Sequence, residues 1–154
     1  MRYILRTCAG REHYVDYVKK CIPSVEICFD QGFGAMGNFL QSLEMSGDDA
    51  VVNLEDDIWI TNNFEEKLKA VVSDKPSSVI QFFSMRKADL TEGSRWDSGR
   101  SYLMAQCTYF PEKMSRGILA FSKKYDNITH KSHPLDSMVA DYLNKARMKY
   151  WIHP

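Results

Sequence analysis

The run Val51-Val52-Asn53-Leu54 passes straight into three carboxylates, Glu55-Asp56-Asp57. A short β-branched stretch reads as a buried strand, so the acids fall at its C-terminal end. Adjacent carboxylates repel one another and lose hydration when buried. Such a cluster is stable when it faces water or grips a cation. Oxygen ligands at a strand end suit Mg²⁺ or Mn²⁺, above all when substrate phosphates complete the coordination shell. The competing reading is a solvated turn that caps the following helix. Open α/β sheets bind ligands outside the carboxyl ends of their strands, which favours the metal.

The surrounding chain supplies such a sheet. Residues 3–6, 25–29 and 50–54 read as strands, and 11–22 and 38–45 as the helices between them. Tyr14, Val15, Val18 and Ile22 share one face of the first helix, and Phe39, Leu40 and Leu43 one face of the second. Two strand-helix-strand steps in succession imply parallel pairing through right-handed crossovers. Downstream, 64–72 reads as a helix capped by Asn62 or Asn63, with Glu65 and Glu66 at its N-terminal dipole. Residues 78–83, 117–121 and 148–152 read as strands, 137–145 as a helix and 88–101 as a polar loop. The expected fold class is α/β: a single domain over 1–154 with a mainly parallel central sheet flanked by helices.

Composition narrows the function classes. At 154 residues, 44% hydrophobic and 26% charged, the chain has the make-up of one soluble globular domain. A formal net charge of zero leaves no global electrostatic footprint for nucleic acid or an anionic membrane. Arg6 interrupts the N-terminal apolar stretch, so no secretory leader is read, and no apolar run has the length of a membrane span. Cys8, Cys21, Cys28 and Cys107 lack the spacing of a zinc site or a disulfide framework, so reduced thiols in the cytoplasm are expected.

Gly32, Gly34 and Gly37 satisfy G-x-G-x-x-G between a strand and a helix, and Glu55 ends the next strand at the offset of a ribose-binding acid. This gives a first alternative, a Rossmann-type dinucleotide-binding oxidoreductase domain. Against it, a complete strand-helix unit precedes the motif, and a ribose needs one carboxylate rather than three. Relief of a tight turn explains the glycines equally simply.

Taken together, Asp30, the glycine turn, Asn38, and the strand ending in Leu54-Glu55-Asp56-Asp57-Ile58 resemble the nucleotide-binding half of GT-A glycosyltransferases. With Phe64 and Leu68 beyond it, the acidic box looks particularly like the LEDD box of the lipooligosaccharide and procollagen galactosyltransferase family. Gly117 to Ser122 and Pro134-Leu135-Asp136 are similar to that family's later strand and helix start. The resemblance implies a GT-A-like fold, with a nucleotide-binding part over about 1–60 and an acceptor part over about 61–154 that is either minimal or completed by further residues or a partner. It implies a hexosyltransferase-like activity that moves a sugar from a nucleotide diphosphate, a UDP-sugar in this family, to a saccharide, lipid-linked or protein acceptor. A noncatalytic GT-A-like binding subunit is the second alternative.

The resemblance also assigns residues. Asp57, Glu55 and a C-terminal histidine, His153, become the ligands of Mn²⁺ or Mg²⁺. Arg6, Thr7, Arg11, Asp30, Asn38, Glu55 and Asp56 become the nucleotide-binding set, and Asp136 the catalytic carboxylate. Arg6, Arg11 and Asp30 also fall at the ligand-binding edge of the sheet by position alone. In an extended segment Glu55 and Asp57 share a face while Asp56 turns aside. For Asp136 the competing reading is helix capping, for Asp30 a turn, and for Arg11 a solvated helix start. Trp96, Tyr102, Tyr109 and Phe110 are candidates to stack on an acceptor sugar, whereas His130 and His133 lack metal-ligand spacing.

Overall fold

The computed structural model describes residues 1–103, 105–125 and 134–154. His130 and His133 lie outside the described residues. The first half follows the sequence reading closely: β1 (Arg2–Thr7), α1 (Glu12–Cys21), β2 (Glu26–Phe29), α2 (Gly34–Ser46) and β3 (Val51–Glu55). Then come α3 (Phe64–Asp74), β4 (Val79–Gln81), α4 (Lys87–Glu92), β5 (Arg95–Ser98), a 3-10 turn (Gly99–Ser101), β6 (Cys107–Phe110), α5 (Met114–Ser122), α6 (Pro134–Lys145) and β7 (Lys149–Ile152).

Among the described residues the seven strands form one sheet, in the order β2-β1-β3-β6-β4-β7-β5. β1 pairs in parallel with β2 and β3, and β4 with β7. β6 runs antiparallel between β3 and β4, and β5 runs antiparallel along β7. The sheet is therefore mixed rather than mainly parallel. Periodicity foresaw the first two crossovers but not the insertion of Cys107–Phe110, a four-residue segment that read as loop aromatics.

Alternation along the strands feeds two separate cores. Ile4, Val51 and Phe110 face α2, α5 and α6, with Phe39, Leu43, Ile118, Met138 and Leu143. Leu5, Val52 and Leu54 face α1 and α3, with Val18, Ile22, Leu68 and Val72. Strands covered on both faces need near-continuous apolar sequence, which is why residues 50–54 were legible.

Three local readings change. Residues 117–121 are helical, within α5: a short apolar run does not distinguish a buried strand from a buried helix. Gly117 admits the neighbouring helix, because a Cβ there would sit 2.2 Å from the Tyr142 hydroxyl. Residues 88–101 are not a loop but α4, β5 and the 3-10 turn. Their anchor is the fully buried Asp89, which accepts from Ser84, from Arg95 and from Arg86 Nε at 2.6 Å. Lastly, Asn63 precedes α3 in the left-handed conformation (φ 58°) and makes no side-chain cap.

Candidate functional site

β1, β2 and β3 end together, so their last residues and the loops beyond them share one edge. Arg6 and Glu55 are register partners across β1 and β3, and Arg6 and Cys28 across β1 and β2. Around this edge lies a cleft of about 280 Å³ lined by Arg6, Thr7, Arg11, Asp30, Asn38, Glu55, Asp56 and Asp57, with Cys8 and Ala35. Every nucleotide-binding residue expected from the sequence, together with Asp57, thus meets in one cleft. What the side chains do there differs from residue to residue.

Arg6 is the buried centre. Its Nε donates to Asn53 Oδ1 at 2.6 Å, and its terminal nitrogen donates to Glu55 Oε1 at 2.9 Å and to the Ala105 carbonyl at 3.0 Å. The guanidinium also lies over the Phe39 ring, 5.3 Å from its centroid. Asn53 in turn donates to Ser42 of α2, so strand and helix are tied beneath the cleft. Ala105 is held from both sides, since its N–H donates to Asp136 Oδ1 at 3.1 Å.

The three acids are not equivalent, and Asp56 is the most firmly held. Its Oδ2 accepts from the Thr7 hydroxyl at 2.5 Å and its Oδ1 pairs with Arg11 at 2.9 Å, in a buried position. Glu55 is half-buried and paired with Arg6. Burial raises its pKa above the ordinary carboxyl range, and the charges of Asp57 and Asp136 raise it further against the pull of Arg6. Asp57 keeps 53% of its side chain exposed and approaches Arg11 only at 3.7 Å. Asp56 does not turn away from the site, as strict alternation implies, because the strand ends at Glu55 and the chain turns there.

Two expected ligand contacts are already taken. Asp30 accepts from the backbone N–H groups of Gly32, Phe33 and Gly34 at 3.1, 2.9 and 3.2 Å, filling the N-terminus of α2 with an internal carboxylate. Asn38 donates to the Thr7 carbonyl at 3.0 Å and accepts from the Cys28 thiol at 3.0 Å. Both residues shape the cleft, with much of their hydrogen-bonding capacity spent on the chain itself. The same geometry speaks against the dinucleotide reading, in which those loop amides would hold a pyrophosphate. The glycines have local reasons instead: Gly32 and Gly34 adopt φ of 92° and 70°, and a Cβ on Gly37 would meet Phe33 at 2.2 Å. Replacing Asp30 with Ala is expected to cost about 0.5–2 kcal/mol of stability, the range for a lost N-terminal cap, measured by urea unfolding.

His153 does not join the acids. Its Nδ1 lies 2.8 Å from Ser94 Oγ, its ring meets Phe82 edge-on, and it lines a different cavity. Burial, helped by Lys75, lowers its pKa and so favours the neutral imidazole. Among the described residues no three His, Cys, Asp or Glu side chains converge as a metal set. The expected ligand trio therefore reduces to Asp57 and Glu55. Two carboxylates suffice for a Mg²⁺-type site that takes its remaining ligands from phosphates and water. The charge balance fits such an ion, since four carboxylates and two guanidiniums line the cleft.

The expected acceptor aromatics also move. Tyr102, Tyr109 and Phe110 are buried in the cores, and Trp96 sits on edge strand β5 against Trp151. The aromatic that sequence reasoning missed is Trp59, 85% exposed and two residues beyond Asp57. Its flanking Ile58 and Ile60, both of core type, were the available signal. No family model matches this chain, and no curated protein matches it. Among the described residues no helix is long and apolar enough to cross a membrane.

Proposed function

We propose that this protein is a metal-dependent, GT-A-like glycosyltransferase whose cleft at the ends of β1, β2 and β3 takes a nucleotide diphosphosugar. The observation that carries the reading is the surplus of carboxylates around an open, exposed Asp57. That charge balance disfavours a diphosphate arriving alone and favours one accompanied by a cation. Asp57 and Glu55 are the residues that would hold the ion, which when bound would neutralise the departing diphosphate. UDP is the nucleotide that the sequence resemblance implies.

The remaining roles fall to the chain's own groups. Arg11 keeps about a third of its side chain exposed and stacks over Tyr14, which places a guanidinium at the cleft for a phosphate oxygen. Arg6 and Thr7 fix Glu55 and Asp56, so the acids need no rearrangement when the donor arrives. Asp136, whose charge reaches Glu55, is the carboxylate proposed to take the acceptor's proton.

A thermal-shift series with UDP, GDP and NAD, each with and without Mn²⁺, tests the reading. UDP with Mn²⁺ together is expected to raise Tm by roughly 5–10 °C at saturating concentration, and neither alone to do so. Asp57→Ala, an exposed position, should remove the metal-linked part of the shift and leave the unliganded Tm in place. Retention of Mn²⁺ dependence in that variant would show that the ion binds elsewhere. An NAD shift indifferent to metal would restore the redox alternative, and silence throughout would favour a noncatalytic subunit.

A further inference from the structure

The segment that leaves β3 is a partition between two spaces. Glu55, Asp56 and Asp57 line the acidic cleft, and the next three residues, Ile58, Trp59 and Ile60, line a second cavity of about 300 Å³. Its walls include Leu68 of α3, Phe82 and Phe83 just beyond β4, and Cys107 at the start of β6. The ends of β3 and β4, and His153 after β7, all contribute, so this cavity opens at the same carboxyl edge of the sheet as the cleft. Ligands of α/β sheets collect at that edge.

Four aromatic side chains, Trp59, Phe64, Phe82 and Phe83, line the cavity. Trp59 is 85% exposed, yet its backbone is clamped. Ile58 and Ile60 on either side are buried, and the Tyr17 hydroxyl accepts from the Ile60 N–H at 2.9 Å and donates to its carbonyl at 3.3 Å. The Tyr17 ring stacks on the indole with centroids 5.3 Å apart and planes 26° from parallel. Tyr17 thus supports the indole from one side, and most of the ring's remaining surface stays open to a ligand. On the inner wall Cys107 is buried, and burial pushes its thiol up to about 12. On the rim, Lys67 is exposed and forms no ion pair among the described residues, which leaves its ammonium to an oxygen of the ligand. A volume near the lower end of small-molecule sites suits one small ring system rather than a peptide.

We infer that this second cavity binds a planar aromatic or heteroaromatic ring carrying an oxygen substituent, stacked against Trp59 with the oxygen at Lys67. Its service as the acceptor site rests on the transferase reading; the binding does not. In that role the partition sets donor and acceptor on opposite sides of one short segment.

The probe is 4-hydroxybenzoate, with acetate as the ring-free control, followed by the NMR shift of the Trp59 indole N–H and by calorimetry. Saturable binding of 4-hydroxybenzoate in the millimolar range or tighter is expected, with none for acetate. Trp59→Ala should weaken it roughly tenfold, and Lys67→Glu several-fold. Both positions are exposed, so the fold is not at risk. Asp57→Ala should leave this binding intact while removing the Mn²⁺-linked UDP response. Ring binding without any UDP response would overturn the transferase and keep the cavity. A UDP response with no ring binding, or binding indifferent to Trp59→Ala, would overturn the cavity assignment alone.

Discussion

Replacing Arg6 with Leu is expected to lower the free energy of unfolding by about 3–5 kcal/mol, the range for removing one partner of a buried ion pair. The loss comes from what is stranded rather than from the volume removed. Glu55, Asn53 Oδ1 and the Ala105 carbonyl all lose their donor at once. The pH dependence identifies the cause. Burial already raises the Glu55 pKa above its unfolded value, and removing Arg6 deletes the one influence that lowers it. A carboxyl with a raised folded pKa costs little stability below the unfolded value. Its penalty builds as pH rises through the folded value. Urea unfolding should therefore show a gap between wild type and variant that is wider at pH 8 than at pH 5. A gap that does not move with pH would mean that Glu55 is not what Arg6 compensates. Arg6→Lys should rescue little, because a single ammonium cannot reproduce a planar fork that serves three acceptors.

The second large effect is expected at Asp89, far from the cleft. Asp89→Asn should cost roughly 3 kcal/mol at pH 7, leaving Asp97, at 3.7 and 3.8 Å, as the carboxylate that Arg86 and Arg95 share. Arg86 also donates to the Ser101 carbonyl at 2.9 Å and to the Tyr150 hydroxyl at 3.1 Å. The loss should therefore loosen β5 from β7, visible as faster amide exchange over Arg95–Ser98. Burial alone would raise the Asp89 pKa, but hydrogen bonds from Ser84, Arg95 and Arg86 outweigh it, so the folded value is lowered. A lowered folded pKa stabilises above the unfolded value, near 4, and that stabilisation is lost as pH falls through the folded value. The difference between wild type and variant should thus be full at pH 7 and shrink in acid below pH of about 4. An equal difference at pH 7 and pH 3 would assign the loss to shape rather than charge.

These two arginine–carboxylate centres mark where sequence reading reaches its limit. Residues 88–101 read as a polar loop because the stretch is polar and contains glycines, whereas Asp89 is fully buried. At the cleft the acids were found in the right place, at the end of a strand in an α/β sheet, but their partners were not. Asp56, ranked below its neighbours by strand alternation, proved the most firmly bonded. His153 was joined to the acids by resemblance, and the strand order sent it to the second cavity. Tyr102, Tyr109 and Phe110 read as surface aromatics because β6, the strand that buries the last two, is four residues long and carries no clear alternation.

The amino-acid sequence by itself determined the β1–α1–β2–α2–β3 succession, the parallel pairing of those strands and the edge at which the acids emerge. Those features follow from apolar spacing and turn residues within one local stretch of chain. Only the tertiary structure decided which carboxylates are spent and which are open. Thr7 reaches Asp56 across 49 positions of sequence, and Arg6 reaches Ala105 across 99. A carboxylate's chemistry is set by the charges and donors within a few ångströms of it, and periodicity along the chain says nothing about which distant groups those will be.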